Sequence, residues 1–140
     1  MRTTIALVVA VCGWSAAAWH STLAAQQPTA QALVAGVYTE EQAKRGEAVY
    51  KANCELCHGT EAKGDLGPPL TRTTLMANWK AQTLADLYLK ITTMPTQITP
   101  EQRADVLAYV LQVDKFPPGS AELTSSEEAL RQIRIDAPQP

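Results

Sequence analysis

The sequence predicts an all-α protein, and three observations lead to this class. Apolar residues recur at helical spacing in the stretches 84–91 and 106–113. A threonine with an amide or acid three residues later, the signature of a helix start, occurs at Thr39, Thr83 and Thr99. The stretch 59–74, which contains several glycines and prolines, lacks the alternation of apolar and polar residues that a half-buried strand shows. We therefore expect three to four helices joined by loops.

The chain has 140 residues and a formal charge of −2, which fits one domain with extensions. No basic stripe is present, so nucleic acid is not an expected partner. Residues 1–25 resemble a secretory signal peptide: Arg2 is followed by an apolar run and then by small residues, so that cleavage fits after Ala24 or Ala25. The apolar run is shorter than the roughly 18 residues that a spanning helix needs. An uncleaved leader remains an alternative and would be the only expected contact with a membrane.

The domain boundaries follow from composition. Residues 26–37 are rich in Ala, Gln and Pro and are expected to be a flexible lead-in. Residues 38–116 hold the predicted core helices, and 117–140 form a C-terminal extension. The leader predicts export of the mature protein to the bacterial periplasm.

The first helix is predicted from about Glu40 to Ala52. Thr39 and Gln42 form its capping box, and acidic residues in the first turn suit the positive end of the helix. Gly46 lies in the helix interior, where it costs about 1 kcal/mol relative to Ala. Such a glycine indicates the close approach of another element.

The stretch 59–74 is expected to be a loop, and Leu70 is the large apolar residue that follows its prolines. We expect Leu70 to point inward and to line a binding site. A second helix begins after Thr83 and must end before Met94, because Pro95 disfavours helical geometry in the residue before it.

The last core helix has the clearest start signal in the chain. Thr99 is the expected N-cap, Pro100 occupies the first helical position and Gln102 completes a capping box. The helix carries a broad apolar stripe and is stopped by the sequence 116–119, Phe-Pro-Pro-Gly. Beyond it, Ser125 and Glu128 could cap a short tail helix. We expect the extension to pack on its own domain through apolar side chains of the tail: Phe116, Leu123, Leu130 and Ile133.

The first core helix leads into the motif Cys54-Glu55-Leu56-Cys57-His58, which has the spacing of a covalent haem attachment site. Two thiols three positions apart can bond the two vinyl groups of a porphyrin, and the following histidine can bind the iron. Three other interpretations were weighed. A zinc site needs about four protein ligands, but the other Cys and His of the chain, Cys12 and His20, lie in the leader. A redox pair of the thioredoxin type expects a β-α-β context, and a disulfide here would close too short a loop to constrain much.

Few side chains of the mature chain could supply a second axial ligand. His58 is the only histidine after the leader, which leaves Met76 and Met94. A lone methionine is ordinarily a packing residue. Met94, however, follows a helix end and precedes a rigid proline, on a segment that could cross the open face of the haem. We therefore assign the sixth position to Met94.

The chain resembles the class I c-type cytochromes, which are small electron carriers with a single haem. The attachment motif, the helix pattern around Gly46, the segment Gly67-Pro68-Pro69-Leu70 and the Met94-Pro95 pair carry the resemblance over about residues 36 to 116. It implies a cytochrome c fold whose N- and C-terminal helices cross at Gly46. It also implies that the carbonyl of Pro68 accepts a hydrogen bond from the His58 imidazole and that the Trp79 indole binds a haem propionate.

The resemblance implies one covalently attached haem c with His58 and Met94 as its ligands, and an electron-transfer protein rather than an enzyme. The expected partners are redox proteins: a dehydrogenase or respiratory complex as donor and an oxidase as acceptor. The family's mitochondrial members have a lysine-rich haem rim, whereas this chain is acidic, so their docking partners cannot be assumed. The alternative function is a haem peroxidase or a gas sensor, either of which needs an open or easily displaced sixth position.

Overall fold

The computed structural model describes residues 31–136, and helices dominate them. The elements in chain order are β1 (Gln31–Ala32), a 3-10 turn (Leu33–Ala35), α1 (Glu40–Asn53), α2 (Glu55–His58), a 3-10 turn (Thr60–Ala62), α3 (Arg72–Trp79), α4 (Leu84–Thr92), α5 (Pro100–Val113), α6 (Glu127–Leu130) and β2 (Ile133–Arg134). The two strands are two residues long and form a parallel pair. The all-α class is confirmed.

Helices α1 and α5 cross at Gly46, as the sequence predicts. A Cβ atom at Gly46 would overlap the carbonyl group of Asp105 and would lie 3.0 Å from the amide nitrogen of Val106. The backbones of the two helices therefore touch, and only glycine leaves room for that contact. This crossing fixes the end of α1, from which the attachment motif continues.

The capping signals in the sequence mark helix starts in the structure. The side chains of Thr83 and Asp86 form a reciprocal capping box at α4, and those of Thr99 and Gln102 form another at α5. The helix after Thr83 ends at Thr92, before Met94, as expected. The tail helix begins one residue later than predicted, because Ser126 rather than Ser125 supplies its capping hydroxyl.

The sequence analysis missed helix α3 and was wrong to treat 72–74 as loop. Thr71 occupies the N-cap position without a side-chain capping hydrogen bond, so no local signal marks the helix start. Only Leu75 is fully buried, and the half-buried Met76 and Trp79 pack on the same core. Tertiary packing, rather than a local pattern, stabilises this helix.

The expectation of a flexible lead-in at 26–37 is wrong for its described part. Leu33 is fully buried, Val37 is 6% exposed, and Gln31–Ala32 pairs with β2 near the other end of the chain. The partners of this segment lie about a hundred residues away, so composition alone did not reveal them. Residues 26–30, the predicted leader 1–25 and the last four residues lie outside the described part.

The C-terminal extension packs on the domain. The Gln42 side chain donates to the Leu123 carbonyl at 2.8 Å and accepts from the Leu123 amide at 2.6 Å. Gly36 and Gly119 approach so closely that a Cβ on Gly36 would lie 2.7 Å from the Pro118 carbonyl oxygen. The amide of Ile135 donates to Gln82 at 2.9 Å. The tail thus joins the start of the described chain to the α3–α4 connection.

The buried residues form two hydrophobic clusters, and both α1 and α5 contribute to each of them. The loop-side core consists of Tyr50, Ala62, Val106 and Tyr109. The tail-side core is larger and consists of Leu33, Val37, Tyr38, Ala43, Leu75, Leu84, Ala85, Leu87, Tyr88, Ala104, Leu107, Ala108, Leu111, Phe116, Leu123, Leu130, Ile133 and Ile135. Within residues 31–136, no helix has both the length and the apolar character needed to cross a membrane.

Candidate functional site

Helix α2 carries the attachment motif directly after α1. The amide of Cys54 still donates to Tyr50 in α1 at 2.7 Å, while the amides of Cys57 and His58 turn back to the Cys54 carbonyl at 3.1 and 2.9 Å. Residues spaced three and four apart share one face of a helix. The turn therefore presents Cys54, Cys57 and His58 on a common side.

Both cysteines are free thiols with different surroundings. Cys54 is half-buried against the loop-side core, whereas Cys57 is exposed. Burial, followed by the nearby Cys57, raises the pKa of the Cys54 thiol. The pair does not form a disulfide, so both sulfur atoms are available for bonds to a cofactor.

The His58 imidazole is oriented by the loop that follows it. Its Nδ1 atom lies 2.8 Å from the carbonyl oxygen of Pro68. A carbonyl oxygen can only accept, so Nδ1 carries the proton of the neutral ring, and the lone pair is on Nε2. The hydrogen bond that the resemblance implied for Pro68 is therefore formed, and it leaves the lone pair of Nε2 available to a metal ion.

The same loop is held by its own backbone. The amide of Gly67 donates to the Cys57 carbonyl at 2.7 Å, and the amide of Gly64 donates to the His58 carbonyl at 2.7 Å. Gly67 lies against the imidazole, since a Cβ added there would be 3.3 Å from His58 Nδ1. The loop thus supports the ring on one side without a side chain.

Tyr50 connects α1 to the residue that follows the motif. Its hydroxyl donates to the Gly59 carbonyl at 2.8 Å, and its ring lies 5.0 Å from that of Tyr109, centroid to centroid. Burial raises the pKa of the Tyr50 hydroxyl, so it remains a hydrogen-bond donor. Tyr50 therefore ties α1 and α5 to the residue after the motif.

Leu70 lies where an inward-pointing residue is expected. Its amide donates to the Ala62 carbonyl at 2.8 Å, and its half-buried side chain packs on the loop-side core. Cys54, Val49, Ile98 and Val113 are the other half-buried apolar residues packed there. The attachment segment therefore adjoins an apolar surface that the protein covers only in part.

Met94 and Trp79 lie on other elements. Met94 is half-buried in the turn after α4, where its amide donates to Ile91 at 3.1 Å. Trp79 is half-buried at the end of α3. Among the described residues, no hydrogen bond joins either of them to the attachment segment. The described contacts thus link five of the seven predicted site residues: the five are Cys54, Cys57, His58, Pro68 and Leu70.

The residues present fit a c-type haem. Two free thiols and an imidazole share one side of a turn, the imidazole keeps the nitrogen that iron needs, and half-buried apolar side chains lie beside them. Over residues 31–136, no group of three or more His, Cys, Asp or Glu side chains is arranged to hold a metal ion. The described residues therefore do not supply the ligand set that a structural zinc ion requires.

Comparison with known proteins agrees with this chemistry. Residues 41–110 match the family described as cytochrome c oxidase, cbb3-type, subunit III. The chain belongs to this family of c-type cytochromes. Haem binding and electron transfer are the chemistry that the family assigns to it, so the resemblance deduced from the motif is confirmed at that level.

A shorter match is to a cytochrome c-553-like protein of Synechocystis. The two sequences are 54% identical over 28 residues, which is 20% of this chain and 27% of the relative. The match thus spans about a quarter of the relative's length. No solved structure matches the chain.

Proposed function

We propose that this cytochrome carries single electrons in the bacterial periplasm through one haem c bound to Cys54 and Cys57, with His58 and Met94 as the axial ligands. The observation that carries the proposal is the 2.8 Å contact between His58 Nδ1 and the Pro68 carbonyl oxygen. It fixes the tautomer and the orientation of the imidazole before any metal binds. The bound haem would supply an iron centre that gains and loses one electron.

The Cys54 and Cys57 thiols would hold the cofactor. Each would add its sulfur and its hydrogen across one vinyl group, so that nothing would be released. Burial favours the protonated form of the Cys54 thiol, which brings that hydrogen with it. Two thioether bonds would prevent loss of the cofactor in the periplasm.

The chain's own contacts limit movement at the iron ligand. The Tyr50 hydroxyl donates to the Gly59 carbonyl, and the Gly67 amide donates to the Cys57 carbonyl. The Pro68 carbonyl accepts from the His58 imidazole. A ligand that keeps its position in both oxidation states favours fast electron exchange, because little has to rearrange. This rigidity supports a carrier.

Met94 supports the same function. It precedes Pro95, stands outside any helix and is not among the core residues, whereas Met76 packs on the tail-side core from within α3. A methionine opposite a histidine raises the reduction potential of a haem. We therefore assign Met94, and not Met76, to the sixth position.

The location and the partners are inferred from the leader and from the family. Residues 1–25 resemble a secretory signal, which supports export to the periplasm. The partners follow from the family: a dehydrogenase or respiratory complex would reduce the protein, and an oxidase would oxidise it. The family description also favours a second arrangement, in which the chain is a subunit of an oxidase.

Mass and visible spectra test this proposal. We expect the mature wild-type chain to carry the mass of one haem under denaturing conditions and to show a low-spin spectrum. Met94→Ala should convert that spectrum to a high-spin or hydroxide-bound form and lower the reduction potential. The matched variant Met76→Ala should leave both unchanged. A mass without covalent haem, or loss of the low-spin spectrum in Met76→Ala instead, would contradict the proposal.

A further inference from the structure

Two leucines beside the attachment motif are the most exposed large apolar side chains of the described part. Leu56 is 81% exposed and Leu66 is 80% exposed, whereas Val34, the next in order, is 39% exposed. Single exposed apolar residues are ordinary on protein surfaces. Two leucines that are almost fully solvated and lie beside the same motif indicate a function for their exposure.

The backbone brings the two leucines close together. The amide of Gly67 donates to the Cys57 carbonyl at 2.7 Å. Leu56 precedes Cys57 and Leu66 precedes Gly67, so each leucine stands one residue from the same hydrogen bond. They therefore belong to one surface, which we call the dileucine surface (Leu56 and Leu66).

Helix geometry turns Leu56 away from the cofactor side. Cys54, Cys57 and His58 occupy positions that share one face of the α2 turn. Leu56 lies two residues after Cys54, on the opposite side of a helix with 3.6 residues per turn. A haem bound by the motif would not cover it. The surface thus remains exposed, and Leu56 directly precedes the exposed residue Cys57.

Unpaired acids accompany both leucines. Glu55 precedes Leu56 and Asp65 precedes Leu66, and neither carboxylate has an ion-pair partner among the described residues. The nearby lysine ammonium groups form ion pairs with other carboxylates: Lys51 pairs with Glu47 at 2.7 Å and Lys63 pairs with Glu61 at 2.6 Å. The local charge is therefore negative, and it comes from the two residues adjacent to the leucines.

We propose that the dileucine surface is where electrons enter or leave, and that it docks a redox protein whose apolar patch is bordered by basic side chains. This inference rests on the proposed function. Apolar contact would exclude water between the two centres, and opposite charges would orient the encounter. The charge preference is opposite to that of a carrier with a lysine-rich rim.

Electrodes coated with mixed monolayers can represent the partner surface. The probes are gold coated with methyl- and ammonium-terminated thiols, with methyl- and carboxylate-terminated thiols, or with methyl-terminated thiols alone. Wild-type holo-protein should exchange electrons about tenfold faster on the ammonium mixture than on the carboxylate mixture at low ionic strength. Added salt should reduce this difference.

Two pairs of variants separate the apolar and the charged contributions. Leu56→Gln/Leu66→Gln should slow exchange on the ammonium mixture about tenfold, whereas the control Val34→Gln should not. Glu55→Gln/Asp65→Asn should abolish the preference for ammonium over carboxylate. Its control Glu41→Gln/Glu128→Gln, which removes the same number of charges elsewhere, should keep that preference.

Reduction by hydroquinone in solution keeps the two proposals distinguishable. All variants should be reduced at the wild-type rate, because a small neutral reductant needs no docking surface. Wild-type protein that hydroquinone cannot reduce would contradict the proposed function itself. Normal reduction combined with wild-type electrode rates in the leucine variant, or with preference for the carboxylate mixture, would overturn the docking surface alone. A wild-type dimer that the leucine substitutions dissociate would also overturn it, because the surface would then serve a second copy of the chain.

Discussion

The two hydrophobic clusters differ in how complete they are, although α5 contributes to both. The tail-side core contains eighteen buried residues and draws them from nearly every element. The loop-side core contains four, and Cys54 and Leu70 at its border remain only half-buried. The smaller cluster is the one beside the attachment motif. The protein thus completes one core by itself and leaves the other to be completed by its cofactor.

Loss of both thiols should have the largest effect, because it removes the means of completing the loop-side core. Cys54→Ala/Cys57→Ala should yield almost no chain that carries haem on a denaturing gel. The remaining protein should melt at a much lower temperature, since cofactor binding and folding are coupled. Cys57→Ala alone is the control, because it retains one thioether and should still carry haem. A double variant that melts like the wild-type protein would show that the loop-side core is complete without a cofactor.

The same contrast explains what the sequence could predict. Three helices were predictable because a threonine N-cap marks each start in the local sequence. These are α1 after Thr39, α4 after Thr83 and α5 after Thr99. Helix α3 was not, because Thr71 forms no side-chain cap and the helix is stabilised by distant packing. Burial of Leu33 depends on tail residues about a hundred positions away and leaves no local trace. Most of the tail-side core thus depends on long-range contacts.

The candidate site was more predictable than the larger core. Cys54, Cys57 and His58 are adjacent, so their spacing alone indicates the chemistry. The contact from His58 to Pro68 spans ten residues and came from a family resemblance, not from spacing. The dileucine surface was not predicted, because a sequence does not say which leucines stay exposed. Met94 and Trp79 remain predictions.

Removal of the tail tests whether the tail-side core is one unit. Truncation after Gly119 deletes four buried residues: Leu123, Leu130, Ile133 and Ile135. At about 1.5–3 kcal/mol for each side chain, the loss is about 6 kcal/mol or more. Because this loss is comparable with the whole stability of a small domain, thermal melting of the truncated holo-protein should fall far below that of the wild type.

A milder variant keeps that test informative if the truncated chain does not fold. Leu130→Ala should cost about 2–5 kcal/mol and leave the haem spectrum unchanged, because Leu130 belongs to the other core. Arg131→Ala, an exposed neighbour, is the control and should change little. Unaltered melting of Leu130→Ala would mean that the tail only covers the surface.

Gly46→Val tests the crossing of α1 and α5, the two helices that contribute to both cores. The added Cβ would overlap the Asp105 carbonyl, so α1 and α5 would have to separate along their crossing. We expect a loss of about 3 kcal/mol of unfolding free energy, measured by denaturant titration. Ala48→Val in the same helix is exposed and should cost only about 0.5 kcal/mol. Equal losses in the two variants would show that helix propensity, and not the crossing, sets the cost.

The smallest expected effect concerns Asp114, which occupies the C-cap position of α5. It follows Val113 of the loop side at the end of α5, and it is 5% exposed with its Oδ2 atom unpaired within the described residues. Burial raises the pKa of its carboxyl to about 7, although the backbone amide and the charge of Arg72 act in the opposite direction. The other charged groups that line the adjoining cleft are Glu61, Lys63 and Lys115.

A raised acid pKa means that the folded protein binds this proton more tightly than the unfolded chain does. Stability from Asp114 is therefore fully present below about pH 4 and is lost as the pH rises to about 7. Asp114→Asn cannot ionise, so it should lack this decline and exceed the wild type by about 1–2 kcal/mol at pH 8. Denaturant titrations from pH 4 to 8 at fixed ionic strength measure the difference, with Asp65→Asn as the exposed control. Parallel curves for wild type and Asp114→Asn would mean that water reaches the Asp114 carboxylate in the folded protein.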